Sequence, residues 1–317
     1  MTWACCERCR RSAHRSPVKV LLAGASGFVG TALAHDLALH GHAVSRLVRH
    51  QPAGTNEIQW DPAAGSLDAS ALTGFQAVIG LSGAGISAKR WNQAYKQTLR
   101  DSRISPTRTI ATALASLATD ERPGVFISAS AIGFYGERGD QPLPETAVAG
   151  TGFLAELVQD WEAAAQPARE AGVRVAFLRT GLVLAASGGL LKTLLPVFKI
   201  GAGGNLGSGQ QYQSWITLAD EVGAIRHVLE SDAVSGPVNL AAPNPVRNTE
   251  LSKAIGAAVH RPSLVPTPAF ALRIALGEFA DEGVLVSQRV IPELLLSSGY
   301  SFEHSDLAAG LTWALSH

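Results

Sequence analysis

Three glycines spaced three apart carry the first chemical signal. Gly24, Gly27 and Gly30 in the string GASGFVG stand between the aliphatic run Val18 to Ala23 and a stretch, Thr31 to His40, with helical apolar spacing. A strand that turns on glycine and re-enters as a helix is built to hold an anion. Gly24 permits a tight reversal, Gly27 lets main chain approach a pyrophosphate, Gly30 lets the helix pack on the strand, and the helix start offers free N–H groups. Ser26, Phe28 and Val29 complete the expected contact set of this turn. The string alone would also serve as a plain packing turn, and its place between strand and helix points to a dinucleotide site.

The second chemical signal is Arg49. It follows the strand Ala43 to Val48, where a fold selective for NAD commonly places an acidic residue on the adenosine ribose 2′-hydroxyl. A guanidinium there clamps a 2′-phosphate with charge-assisted hydrogen bonds, so the expected cofactor is NADP(H), with Arg49 as the discriminator. The other reading of Arg49 is an ordinary solvated arginine at a strand end. Arg46, on the opposite side of the strand, is a weaker candidate.

The elements that must position these residues alternate between strand and helix. Phe75 to Leu81 is an apolar strand running into Ser82-Gly83-Ala84-Gly85, small residues where main chain can lie under adenine and ribose. A long helical pattern covers Trp91 to Ala118, a strand covers Val125 to Ser130, a helix Phe153 to Ala171, and a strand Val173 to Leu178. This order predicts an α/β fold, a Rossmann-like doubly wound parallel sheet with ligand in the crevice at the carboxyl ends of its strands. The expected division is a leader over 1–17, an NADP-binding domain over 18–185, and a mixed region over 186–317. The last forms a smaller α/β cap on the substrate side, and its sheet elements interleave with the first domain.

Within that cap, five of the nine residues from Gly201 to Gly209 are glycine, which makes the loop either a flexible lid or a tight scaffold under a ligand. Gln210, Gln211, Tyr212, Gln213, Ser214 and Trp215 follow and are expected to supply amide donors and aromatic faces to a cleft. Asp220 is read as a helix cap.

Composition limits the alternatives. The 317 residues carry 26 Lys plus Arg and 26 Asp plus Glu, so no basic excess exists to hold a nucleic-acid backbone. Charged residues are 16% and hydrophobic ones 46%, which excludes a wholly disordered polymer. Apolar stretches such as Ile110 to Ala118 end well short of the ~18 residues needed to span a bilayer, so no membrane partner is expected, and the expected partner is a small-molecule substrate. All three cysteines, Cys5, Cys6 and Cys9, lie in the leader MTWACCERCRRSAHRSP. An odd cluster makes no disulfide framework, and Cys6, Cys9 and His14 fall short of the four ligands of a structural zinc site, so no metal is expected. The leader reads as a disordered tail or mis-start, or, being rich in Arg and poor in acids, as an organelle transit segment. The cytoplasm is the expected location.

Several longer strings point further. GASGFVG at 24–30, LSGAGIS at 81–87, KRWNQAYKQTLRDSR at 89–103, SASAIGFYG at 128–136, WEAAA at 161–165, LRTGLVL at 178–184, GAGGNLGSGQQYQSWI at 201–216 and AAPNPVRNTEL at 241–251 are long and unusual. Through them the chain from Val18 onward resembles the extended, atypical short-chain dehydrogenase/reductases labelled epimerase family proteins, relatives of NAD-dependent sugar epimerases that carry a C-terminal domain of unknown function. The resemblance implies an NADP(H)-binding Rossmann domain and cofactor contacts from Arg49, Leu81, Ser82, Gly83, Arg103 and Val183. It also implies a Ser that orients a substrate carbonyl and a Tyr-x-x-x-Lys pair that moves the proton.

Ser130 stands in the serine's place, with simple capping of a turn as its other reading. The Tyr-Lys pair is missing: the best match puts Leu154 and Val158 in those positions. Tyr135 is the nearest remaining proton donor, but the residue four further on is Gly139, so no lysine depresses its phenol pKa, and its other reading is a packing aromatic. Glu145 is read as a turn residue, and Glu156 and Asp160 as solvated carboxylates on a helix face. Two functional expectations follow. One is an NADP-dependent oxidoreductase or epimerase-like enzyme acting on a small polar substrate. The other is a catalytically inactive NADP(H)-binding sensor or scaffold.

Overall fold

The computed structural model describes residues 17–317, so the readings placed on Cys5, Cys6, Cys9 and His14 lie outside the described residues. From Lys19 the chain builds a seven-stranded sheet whose neighbours all run parallel. In chain order its elements are β1 (Lys19–Ala23), α1 (Phe28–Leu39), β2 (Ala43–Val48), β3 (Glu57–Gln59), β4 (Ala77–Gly80), α2 (Gln93–Ser116), β5 (Val125–Ala131), α3 (Phe153–Ala163) and β6 (Arg174–Thr180). Then follow α4 (Gly189–Lys199), α5 (Leu218–Glu230), β7 (Gly236–Leu240), α6 (Asn248–Ala258) and α7 (Leu307–Ser316). The strands lie in the order β3-β2-β1-β4-β5-β6-β7, so the winding reverses between β1 and β4. This is the doubly wound, Rossmann-like arrangement, and β7 joins its edge from well beyond residue 185.

The strands are near-continuous apolar runs because helices cover both faces. Side chains alternate between those faces. Val20, Leu22, Ile79, Ile127, Ala176 and Leu178 pack under Leu33 and Leu37 of α1 and Val222, Ile225 and Val228 of α5. Leu21, Val78, Phe126, Val175 and Phe177 pack against Ile110 and Leu114 of α2 and Ala168. Each such Val, Leu, Ile or Phe side chain, fully buried, contributes about 1.5–3 kcal/mol.

The helix expected over Phe153 to Ala171 is broken. α3 stops at Ala163 and a separate short helix runs Gln166–Glu170, with Pro167 in its opening turn. A proline ring clashes with the carbonyl four residues earlier, here Ala163, and has no N–H to continue the ladder.

The C-terminal part has its own core, in which Leu184, Leu191, Phe198, Trp215, Leu251 and Leu311 meet. Short strands tie it to the main body: Leu182–Ala185 pairs with Trp215–Thr217, and Arg289–Val290 pairs with Pro142–Leu143. The Gly201–Gly209 loop is a tight scaffold, and what lies on it is chain. A Cβ at Gly204 would stand 2.2 Å from the Val265 carbonyl oxygen, and Val265 N donates to Gly203 O at 3.1 Å.

Candidate functional site

The winding reverses at the carboxyl ends of β1 and β4, where a doubly wound sheet places its ligand crevice. Leu81 N donates to Ala23 O at 2.9 Å, which draws the loop after β4 against the turn after β1. Gly24 sits there at φ +81°, and a Cβ on it would stand 2.7 Å from Leu81 C and O. A Cβ on Gly30 would stand 2.2 Å from Gly24 O, so both glycines are required by contact, and Gly24 by conformation as well. Gly27 N–H donates to Gly24 O at 3.0 Å and closes the turn.

Gly27 caps α1 with no side-chain hydrogen bond, and no acidic residue lies in the first turn. The first helical bond is Thr31 N to Gly27 O, 2.9 Å, which leaves the N–H groups of Phe28, Val29 and Gly30 ahead of it at the positive end of the helix dipole. Ser26 and Gly27 are exposed. The Phe28 ring lies over Gly188, where a Cβ would come within 2.4 Å of it, and Val183 packs partly buried against the main core.

Arg49 is exposed one residue beyond β2, next to the glycine turn in the sheet order. Among the described residues it has no hydrogen-bond or ion-pair partner. Arg103 is different. It turns inward, its Nη2 donating to Ala84 O at 2.9 Å and its Nη1 to Leu99 O at 3.1 Å, so it holds the Ser82–Ala84 loop from beneath. Gly83 lies directly on this guanidinium, where a Cβ would be 3.4 Å from Cζ. Burial pushes the Arg103 pKa down to about 10, which leaves it cationic at neutral pH.

A second group of polar residues lies farther along the same edge. Ser130, Arg179 and Asn239 stand side by side on β5, β6 and β7. Ser130 Oγ donates to Glu162 Oε1 at 2.7 Å, and Arg179 grips both oxygens of that carboxylate, each at 2.9 Å. Arg179 Nη1 also donates to the Tyr135 hydroxyl at 3.1 Å, and that hydroxyl donates to Asn239 Oδ1 at 2.7 Å. Asn239 Nδ2 ends the chain on the Leu143 and Ile291 carbonyls, and Phe134 stacks 3.5 Å from Arg179 Cζ.

Ser130 is 5% exposed, Arg179 3% and Tyr135 0%. Burial raises the Tyr135 pKa above that of an ordinary phenol, although Arg179 opposes the shift. Burial also lowers the Arg179 pKa, but its bonds and charge pairing with Glu162 outweigh this and leave it raised. Tyr135 therefore lies inside with its only proton committed to Asn239, away from the cleft position expected of a proton donor. The Ser130 proton is likewise committed to Glu162.

Leu154 and Val158, in the positions where the resemblance expects the acid and the cation, both pack against Gly133. Glu145 accepts from Asn239 N and Leu294 N and is structural, while Glu156 and Asp160 flank Arg100 on the outer face of α3. Glu162, Arg179 and Asn239 were not singled out from the sequence. WEAAA and LRTG are visible strings, but their meeting depends on strand register.

On the C-terminal side a small cavity of about 20 Å³ is lined by Ile132, Leu182, Tyr212, Gln213, Ser214 and Gln288. Gln288 Nε2 donates to Ile132 O at 3.0 Å and Ser214 Oγ to Gln288 O at 2.7 Å, so the C-terminal segment is laced to the end of β5. Trp215 is fully buried with its indole N–H on Asn244 O, and so offers no face to the cleft. Asp220 is not the helix cap. Thr217 caps α5, and the Asp220 carboxylate accepts from Glu303 N at 2.7 Å and His304 N at 2.9 Å.

One carboxyl is incompletely satisfied. Glu221, in the first turn of α5, accepts from Thr180 Oγ1 at 2.8 Å through Oε1, while its Oε2 is buried without a partner among the described residues. A larger hollow, about 730 Å³, is at the opposite edge of the sheet, beside Val18, Gln76 and Gly124, away from all these groups. Among the described residues no His, Cys, Asp and Glu cluster suits a metal, and no helix is long and apolar enough to cross a membrane.

Comparison with known proteins agrees with this geometry. A family model described as NAD dependent epimerase/dehydratase family matches residues 20–241, and a domain of unknown function (DUF1731) matches residues 267–314. The chain belongs to the NAD-dependent epimerase/dehydratase family. It is 46% identical over 295 residues to the epimerase family protein Mb2239 of Mycobacterium bovis, covering 93% of this chain and 97% of that protein. It is 32% identical over 297 residues to the Homo sapiens epimerase family protein SDR39U1, covering 93% and 98%. The crystal structure of that human protein with NADPH superposes with a TM-score of 0.86 at 30% identity, over 94% of this chain and 99% of that one.

Removing the Arg179 side chain strands the Glu162 carboxylate. Arg179→Ala is expected to lose about 3–5 kcal/mol of stability in a guanidinium unfolding titration, as buried pairs broken on one side do. A loss below about 1 kcal/mol would show that the pair is not a determinant of this edge.

Proposed function

We propose that the protein binds NADP(H) across the carboxyl edge of its sheet and acts as an oxidoreductase or epimerase-like enzyme on a small polar substrate. One observation carries the reading: a glycine turn with no room for Cβ atoms leads into an uncapped helix start, and Arg49, exposed and without a partner among the described residues, stands beside it. The N–H groups of Phe28, Val29 and Gly30 would hold the diphosphate, and Arg49 the 2′-phosphate. The Ser82–Ala84 loop, braced by Arg103, would lie under the adenosine. The NADPH bound to the human relative, crystallised with it, supports this assignment.

The bound nicotinamide supplies a hydride acceptor or donor. The chain's own contribution beside it is Ser130, whose proton is fixed on Glu162 and whose lone pairs remain to accept from a substrate hydroxyl or amine.

A second reading is favoured by the saturated network around Tyr135 and by hydrocarbon at Leu154 and Val158: a protein that binds NADP(H) as a sensor or scaffold without turnover. It predicts bound NADPH whose absorbance persists across carbonyls, quinones and nucleotide sugars, whereas the enzyme reading predicts consumption with at least one of them.

Both readings share a binding test. Fluorescence titration is expected to show NADPH binding at least tenfold tighter than NADH, with the ratio falling towards one in Arg49→Ala, since a charge-assisted contact is worth about 1.5–3 kcal/mol. Equal affinities in the unaltered protein would remove the 2′-phosphate assignment.

A further inference from the structure

Glu221 is a group that neither reading uses. Its residue is 2% exposed, one carboxylate oxygen is held by Thr180, and the other has no partner among the described residues. A buried carboxyl with an unmet oxygen is costly, and such a group calls for a reason.

Its position supplies one. Thr180 is the last residue of β6 and pairs in register with Ala131, the residue after Ser130. Helix α5 lies beside α1 on the same face of the sheet, and the first turns of both open at the carboxyl edge. A dinucleotide with its 2′-phosphate at Arg49 after β2 and its diphosphate at α1 after β1 runs on past β4 and β5 towards β6. From β2 to β6 is four strand spacings, roughly 19 Å, which an extended dinucleotide covers. Glu221 stands at the far end of that line.

We propose that Glu221 is a cofactor-positioning residue whose carboxyl lies buried behind the end of β6, at the nicotinamide end of the bound dinucleotide, protonated beside the reduced ring and ionised beside the oxidised, positively charged one. This rests on the cofactor-binding reading above.

The surroundings fit a carboxyl that changes charge. Burial pushes the Glu221 pKa up to about 8, opposed only by the Thr180 hydrogen bond. The charged groups on neighbouring elements are engaged elsewhere. Asp36 of α1 pairs with Arg226 of α5, Asp220 faces the 303–304 backbone, and Arg179 of β6 points to the other face with Glu162. On β5 the neighbouring polar residues are the neutral Ser128 and Ser130.

At neutral pH Glu221 thus holds its proton. A pyridinium charge nearby favours the carboxylate, so binding NADP⁺ expels that proton to the buffer, whereas binding the neutral ring of NADPH leaves it in place. Affinity for NADP⁺ should rise with pH up to the Glu221 pKa and level off above it, and affinity for NADPH should lack this rise. The 2′-phosphate titrates in both nucleotides, so the difference between them isolates Glu221.

The test is isothermal titration calorimetry of the full chain with NADP⁺ and with NADPH, in buffers of different ionisation enthalpy. Near neutral pH, NADP⁺ is expected to release close to one proton more than NADPH. Its affinity relative to NADPH should climb by up to about tenfold per pH unit below the Glu221 pKa. In Glu221→Gln, whose amide oxygen can still accept from Thr180, both differences should vanish. Equal proton release by the two nucleotides in the unaltered protein overturns the proposal, as does a difference that persists in Glu221→Gln. The comparison in the unaltered protein decides the matter even if the variant does not fold. Failure of both nucleotides to bind overturns the cofactor reading and this inference together, whereas binding of both without a proton difference overturns this inference alone.

Discussion

The fold turns on the approach of three pieces of backbone that leave no room for a side chain. Gly24 lies against Leu81, and Gly30 lies against the Gly24 carbonyl. A methyl group at either contact would push α1 off β1 or part β1 from β4. Because this packing holds, the first turn of α1 points into the crevice where the winding reverses, and an anion meets N–H groups instead of carbon. Arg103 continues the same logic by bracing the next loop from below.

The edge beyond it is governed by a different constraint. Ser130, Arg179 and Asn239 form a row across three strands, and Glu162 and Tyr135 close it into one hydrogen-bonded chain. A guanidinium and a carboxylate taken out of water survive only with good geometry and full satisfaction, which the two 2.9 Å bonds, the Tyr135 contact and the Phe134 face provide. Such a network fixes where β5, β6 and β7 end relative to one another. It also engages the protons of the two hydroxyls, of Ser130 and Tyr135, that the family resemblance offers as catalytic.

Much of this was legible in the amino-acid order, and the limits have physical causes. The glycine turn, β2 and the strands around Val20, Ile127 and Val175 follow from local apolar runs and punctuation, which need no tertiary knowledge. Arg49 could be singled out because it follows a strand end beside the motif, and the structure leaves it exposed there. The Glu162–Arg179 pair was not, since seventeen positions of chain separate partners that only register brings together. Trp215 and Asp220 misled for a related reason: both look like groups that face a ligand or a helix end, yet each is taken up by a distant loop, at Asn244 and at residues 303–304. Pro167 divides a helix that apolar periodicity alone makes continuous.

The central claim is that the glycine turn and Arg49 seat the two phosphate ends of one nucleotide. Crystals of the full chain soaked with NADPH test it most directly. The account predicts diphosphate density over the N–H groups of Phe28, Val29 and Gly30, with the 2′-phosphate on the Arg49 guanidinium. A nucleotide bound elsewhere, or a crevice still empty at saturating NADPH, would contradict it.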